Sequence, residues 1–219
     1  MDLDFTVQGI SLLPSRMESI IREILAHDDL DFIHYDFVSL DTIQEDQEYT
    51  GLRISLEARF ETLRIPLKID LTTGDILTPS GMICEYPMIG EDRTLHLYSY
   101  NLETVLAEKL ETILSRGVFS TRPRDYYDVY ILERMQGSKI HRSQLFDALV
   151  NTMKKRESDH LIPKRDAILD SIETSDRLAS YWKKYQDQFH FASNVTFSDT
   201  IHSIRTLISV MNEDPPGSV

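Results

Sequence analysis

At 219 residues, 41% of them apolar and 27% charged, the chain has room for one large domain or two small ones and is too apolar to be disordered. No run approaches the roughly 20 apolar residues of a membrane span, and no basic segment precedes an apolar one at the amino terminus, so a cytoplasmic, non-membrane protein is expected. The net charge of -13 argues on its own against nucleic-acid binding, and the single cysteine, Cys84, excludes an internal disulfide and a cysteine zinc cluster.

In chain order, Leu3, Phe5 and Val7 alternate with Asp2, Asp4 and Thr6, the pattern of a strand with one apolar face. Ser15 with Glu18 three residues later predicts a capping box, opening a helix whose Met17, Ile20, Ile21, Ile24 and Leu25 share one face. Three extended segments follow: a mixed one over 31–40, then Leu52, Ile54, Leu56, Ala58 and Phe60, then Ile65, Leu67, Ile69 and Leu71. Opposite those apolar positions stand Arg53, Glu57, Arg59, Lys68 and Asp70, which predicts a sheet covered on one face and open on the other. The stretch from Thr72 to Tyr98 reads as loops and short strands. From Asn101 onward the period is helical, with breaks near Gly117, Gly137, Pro163 and Asn194 that make five or six helices. The expected fold is therefore α+β, with a small mixed-sheet domain over 1–98 and a helical domain over 99–219.

Alternation along a strand turns Asp2 and Asp4 to the same side, and Asp70 stands likewise on the polar face of its own strand. Three carboxylates on one open sheet face suit a pair of hard divalent ions, which prefer oxygen ligands. The bland alternative is a solvated strand face, which a chain with 36 acidic residues produces readily by chance.

Leu102, Val105, Leu106, Leu110 and Ile113 form a helical stripe in which Lys109 occupies an otherwise apolar offset. A lysine aimed at a core is costly unless paired or placed in a polar cleft. Candidate partners lie on the next helix, opened by Pro123, where Asp125 and Asp128 share a face with Leu132 and Met135. Two readings stand here: a buried salt bridge pinning a helical hairpin, or a point charge for a triphosphate with an aspartate serving as base or orienting group. Arg122 and Arg124, flanking Pro123, are further candidates for phosphate. Residues 139–165 hold Lys139, Arg142, Lys154, Lys155, Arg156, Lys164 and Arg165 against Asp147, Glu157 and Asp159, a basic island in an acidic chain.

The run NLETVLAEKLETILSRGVFSTRPRDYYDVYIL, residues 101–132, resembles the core of the AbiEii/AbiGii toxin family of nucleotidyltransferases, with its Ala-Glu-Lys-Leu helix and its Arg-x-(Arg/Lys)-Asp-x-x-Asp helix. MDLDF at the start is similar to the end of that family's metal motif, and IPLKIDLTTGD, residues 65–75, to its third-carboxylate strand. The resemblance implies a polymerase-β-like nucleotidyltransferase in which Asp2, Asp4 and Asp70 hold Mg²⁺ or Mn²⁺. By the same likeness, Lys109 with Asp125 or Asp128, and more weakly Arg122 and Arg124, serve an NTP and the acceptor. It further implies transfer of a nucleoside monophosphate to RNA, above all tRNA, and a helix-turn-helix type antitoxin as partner. The family's glycine turn and helix would precede Asp2, and the expectation from their absence here is a chain truncated within its phosphate-binding motif and nearly inactive. The alternatives are a catalytically inactive relative that keeps only the fold and antitoxin binding, and a transferase acting on a protein or small molecule.

Overall fold

The computed structural model describes residues 2–27, 32–45, 49–74, 76–90 and 92–212. The backbone divides into two compact units, Met1–Asp75 and Ile76–Val219.

The first unit is a four-stranded sheet with one helix. Strands β1 (Asp2–Thr6), β2 (His34–Glu45), β3 (Tyr49–Phe60) and β4 (Leu63–Thr72) lie in the order β1-β4-β3-β2. Only the β1–β4 pair is parallel, so the sheet is mixed. Leu52, Ile54, Leu56 and Leu71 turn to one face and are buried with Met17 of helix α1 (Pro14–Leu25), while Ile20, Ile21 and Leu25 pack at the edge of this cluster. At roughly 25 cal/mol per Å² of apolar surface removed from water, this face supplies the unit's cohesion. Gly51 lies where β3 is most crowded: a Cβ there would stand 2.9 Å from Ile43 Cγ1 and 3.0 Å from the Leu71 carbonyl oxygen.

The capping box expected at Ser15 does not form. The helix begins one residue earlier, at Pro14, and its N-cap is Leu13 with no side-chain cap bond. Proline's fixed φ and missing N–H suit the first helical position, so Pro14 sets the start and places Ser15 inside the first turn.

Among its described residues the second unit holds a hairpin of β5 (Met82–Pro87) and β6 (Thr94–Ser99) followed by six helices. These are α2 (Leu102–Arg116), α3 (Pro123–Gln136), α4 (Arg142–Lys155), α5 (Arg165–Glu173), α6 (Asp176–Gln188) and α7 (Phe197–Ile208). Short 3-10 turns at Gly117–Phe119, Gly137–Lys139, Asp159–Lys164 and His190–Ala192 coincide with the breaks predicted from glycine, proline and asparagine. A further break at Thr174–Ser175 carries neither glycine nor proline; Ser175 ends it by capping α6 through the Leu178 N–H. Leu106, Leu110, Ile113, Val129, Leu145, Leu149, Ile201 and Ile204, all at most 1% exposed, lie at the centre of one core. Met135, expected to share a face of α3 with Asp125, Asp128 and Leu132, is 69% exposed, whereas Leu132 packs against the core.

The α+β class holds, and the two compact units meet at 75/76. The segment after Ile76 is fastened to the helices through Thr78. Its carbonyl accepts from Asn101 Nδ2 at 2.8 Å and from Thr104 Oγ1 at 3.2 Å, and Asn151 Nδ2 donates to its hydroxyl at 3.1 Å. Asn101 meanwhile caps α2 by accepting from the Thr104 N–H at 3.0 Å. These side-chain bonds tie Thr78 to α2 and α4, and no periodicity in the sequence announces them.

Candidate functional site

Two sets of polar residues stand out, one in each unit. On the sheet, register aligns Asp4 with Asp70, Asp70 with Arg53, and Arg53 with Asp41, a row running from β1 across β4 and β3 to β2. Residues paired in register point to the same side, so Asp4 and Asp70 are neighbours on the face opposite the Leu52–Ile54–Leu56 cluster. Asp70 is only 13% exposed at its side chain and accepts a two-pronged bond, from Arg53 Nε at 2.7 Å and Nη2 at 2.6 Å. The fork geometry of the guanidinium matches the carboxylate plane of Asp70.

The backbone of Asp2 pairs with Lys68, but the Asp2 side chain lies outside the described residues. Among the described residues no three His, Cys, Asp or Glu side chains converge as a metal cluster. Asp4 and Asp70 provide hard oxygen donors of the kind Mg²⁺ takes, and the Arg53 guanidinium already occupies the position of a counter-cation on Asp70. The donor chemistry therefore fits a divalent ion, in competition with Arg53.

In the helical unit Lys109, on α2, reaches across to α3. Its Nζ lies 2.6 Å from Asp128 Oδ2 and 3.3 Å from Asp125 Oδ1. Arg122 Nε stands 3.2 Å from the other oxygen of Asp125, so this carboxylate, 6% exposed, lies between two cations. The three remaining partners are more open: Lys109 at 22%, Asp128 at 29% and Arg122 at 37%. Helical geometry explains the convergence, because Asp125 and Asp128 are three residues apart on one face of α3 and Pro123 begins that helix. Lys109 is thus paired, as its unusual place in an apolar stripe requires, yet not sealed from water. Arg124 is exposed, on the first turn of α3.

An aromatic group adjoins this pair. Tyr127, next to Asp128 in the chain, lies 4.9 Å from Phe191 and 6.1 Å from Tyr185 between ring centroids, and Phe189 lies 4.8 Å from Tyr185. Burial pushes the Tyr185 hydroxyl's pKa up, the Asp128 carboxylate and Tyr127 add to this, and the Arg124 guanidinium opposes it. Sequence reasoning passed over these rings. The Phe-His-Phe run at 189–191 is visible in the sequence, but nothing in its spacing connects it with Asp128, more than 60 residues earlier.

The basic island divides under inspection. Arg156 Nη1 binds Glu111 at 2.6 Å and Thr112 at 3.1 Å, and Glu111 is 3% exposed, so Arg156 joins the end of α4 to α2. Arg165 donates to the Ile162 carbonyl at 2.8 Å and Arg142 to Ser209 at 3.1 Å. Lys154 and Lys155 are exposed.

A family model described as nucleotidyl transferase AbiEii toxin of type IV toxin–antitoxin systems matches residues 1–203. Among solved structures, one from H. pylori described as a candidate nucleotidyltransferase is similar over 96% of this chain and 76% of its own, at 14% identity and a TM-score of 0.49. A second, JHP933 from Helicobacter pylori, is similar over 96% of this chain and 74% of its own, at 13% identity and a TM-score of 0.44. No curated protein sequence matches. Among the described residues no helix is long and apolar enough to cross a membrane.

Proposed function

Since the chain belongs to the AbiEii nucleotidyltransferase toxin family of type IV toxin–antitoxin systems, we propose that it transfers a nucleoside monophosphate from an NTP to an RNA hydroxyl with release of pyrophosphate, with tRNA as the foremost acceptor, in the cytoplasm. The family implies an antitoxin partner; a helix-turn-helix type belongs to this proposal.

The observation that carries the reading is the Lys109 ammonium held between Asp125 and Asp128, exposed by 22% on the helices with the family-like motif. Triphosphate chemistry of this kind asks the protein chiefly for positioning and charge. Lys109 supplies the positive point charge for the phosphates, assisted by Arg122 and Arg124. Asp125, locked between two cations, orients Lys109. Asp128, the more open carboxylate at 29%, accepts or orients the proton of the attacking hydroxyl. On the sheet, Asp2, Asp4 and Asp70 would hold Mg²⁺ or Mn²⁺, which when bound supplies positive charge for phosphoryl chemistry. Arg53 takes one lone pair of each Asp70 oxygen, so a metal on Asp70 would share that carboxylate with the guanidinium.

Incubation of the full chain with each α-labelled NTP, Mg²⁺, total RNA and total protein tests the reading. The expected outcome is label in RNA, lost in Lys109→Ala and in Asp128→Asn. Label in protein would overturn the RNA acceptor, and no label from a cooperatively folded chain would make it the inactive relative.

A further inference from the structure

An aromatic cluster that serves only as a core hides its rings. This one does not. Trp182 and Tyr185 are 3% and 7% exposed, but Phe191, in contact with Tyr127, Tyr185 and Phe189, is 60% exposed. An exposed phenyl on a short turn is ordinarily free to swing, and here the turn is fastened. Gln186 Nε2 donates to the carbonyls of Ala192 at 3.4 Å, Ser193 at 3.3 Å and Val195 at 2.8 Å, and Trp182 Nε1 donates to Val195 at 3.0 Å. Ala192, beside Phe191, is fully buried and its N–H bonds the Phe189 carbonyl at 2.9 Å. Phe189 and Phe191 consequently lie stacked at 5.4 Å and 29°, with Tyr127 tilted against Phe191. Phe191 is thus exposed at a backbone turn that is fastened on its C-terminal side and packed against three other rings, which lowers the ordering a ligand would have to impose.

Its neighbours define that ligand. Tyr127 adjoins Asp128, which holds Lys109 at 2.6 Å, and Tyr185 senses the charges of both Asp128 and Arg124. An aromatic surface beside the Asp128–Lys109 ion pair and Arg124 offers a π face for an aromatic ring and two cations for phosphate.

We propose that Phe191, backed by Tyr127 and Phe189, is a stacking platform for the nucleobase of a nucleotide whose phosphates lie toward Lys109 and Arg124. The inference rests on the nucleotidyl-transfer reading and deepens it. The base can come from the NTP or from the acceptor RNA, and stacking is tolerant of base identity because every base has a π face.

The test is equilibrium binding to the full chain of three probes: the four NTPs, a short mixed-sequence single-stranded oligoribonucleotide, and tripolyphosphate, which carries charge without a base. Phe191→Ala is expected to weaken binding of a base-bearing probe about 5- to 100-fold, to leave tripolyphosphate unchanged, and to be rescued by Phe191→Tyr. Loss confined to NTPs assigns the platform to the donor, and loss confined to the oligoribonucleotide assigns it to the acceptor. The platform is overturned if Phe191→Ala binds both base-bearing probes as well as wild type does, or if Phe191→Tyr is as weak as Phe191→Ala. It is also overturned if neither base-bearing probe binds wild type more tightly than tripolyphosphate. The transferase reading is decided separately, by label transfer in wild type against Lys109→Ala.

Discussion

Lys109 divides its charge between two carboxylates in unlike surroundings, since Asp125 is 6% exposed and also held by Arg122 whereas Asp128 is 29% exposed with Lys109 as its ion-pair partner. Removing the charge of each should therefore do different things. Asp125→Asn leaves two half-open cations facing a neutral amide and should lower stability by about 1–3 kcal/mol. Asp128→Asn should cost roughly 0.5 kcal/mol or less while reducing label transfer about 100-fold or more. Denaturant melts beside the transfer assay separate the two, and equal stability losses would remove the distinction. On the sheet, Arg53→Gln frees both oxygens of Asp70 and should tighten Mn²⁺ binding, read by the loss of the free-ion EPR signal; weaker binding would show that Arg53 positions Asp70 rather than competes for it. Lys109 was legible in the sequence because a lysine interrupts an apolar stripe. The fork between Arg53 and Asp70 was not, because strand register joins residues 17 apart and alternation alone cannot supply that register.

Elements show the same division between local and non-local signals. Helix α7 opens on a full capping box: Thr196 Oγ1 accepts from the Asp199 N–H at 3.1 Å, and Asp199 accepts from the Thr196 N–H at 2.9 Å and from its hydroxyl at 2.6 Å. These bonds hold the Asp199 pKa below its ordinary 3.8. A carboxylate depressed in the folded state contributes stability that is present above its unfolded pKa and lost as pH falls through the folded one. The melting-temperature gap between wild type and Asp199→Ala should thus be open at neutral pH and close below about pH 4. Thr196→Ala should cost about 1 kcal/mol at pH 7. A gap independent of pH would mean that the Asp199 carboxylate is not what caps the helix. Proline and glycine made most helix ends readable, whereas the Ser15 box was misread because its pattern is necessary but not sufficient when Pro14 can begin the turn.

For the molecule as a whole, a net charge of -13 must be reconciled with a polyanionic substrate. Release of counterions makes phosphate contacts salt-sensitive, by about 0.7–0.9 in slope per contact. The pair Lys154→Ala/Lys155→Ala, with Arg156 kept because it binds buried Glu111, should flatten the salt slope of RNA binding by about 1.4–1.8. An unchanged slope would take the end of α4 out of the interface. The fold class was readable because period two prevails before residue 100, apart from the one helix at Pro14–Leu25, and helical period prevails after it. The fastening of Thr78 by Asn101, Thr104 and Asn151 was not, since it joins residues 23 to 73 apart that no periodicity relates. The one tryptophan of the chain, Trp182, buried in the helical unit and bonded to Val195, has a further consequence. Its fluorescence reports unfolding of that unit alone, whereas far-ultraviolet circular dichroism also sees the sheet, so the two probes should give displaced denaturation curves if the units melt independently and coincident ones if they melt together.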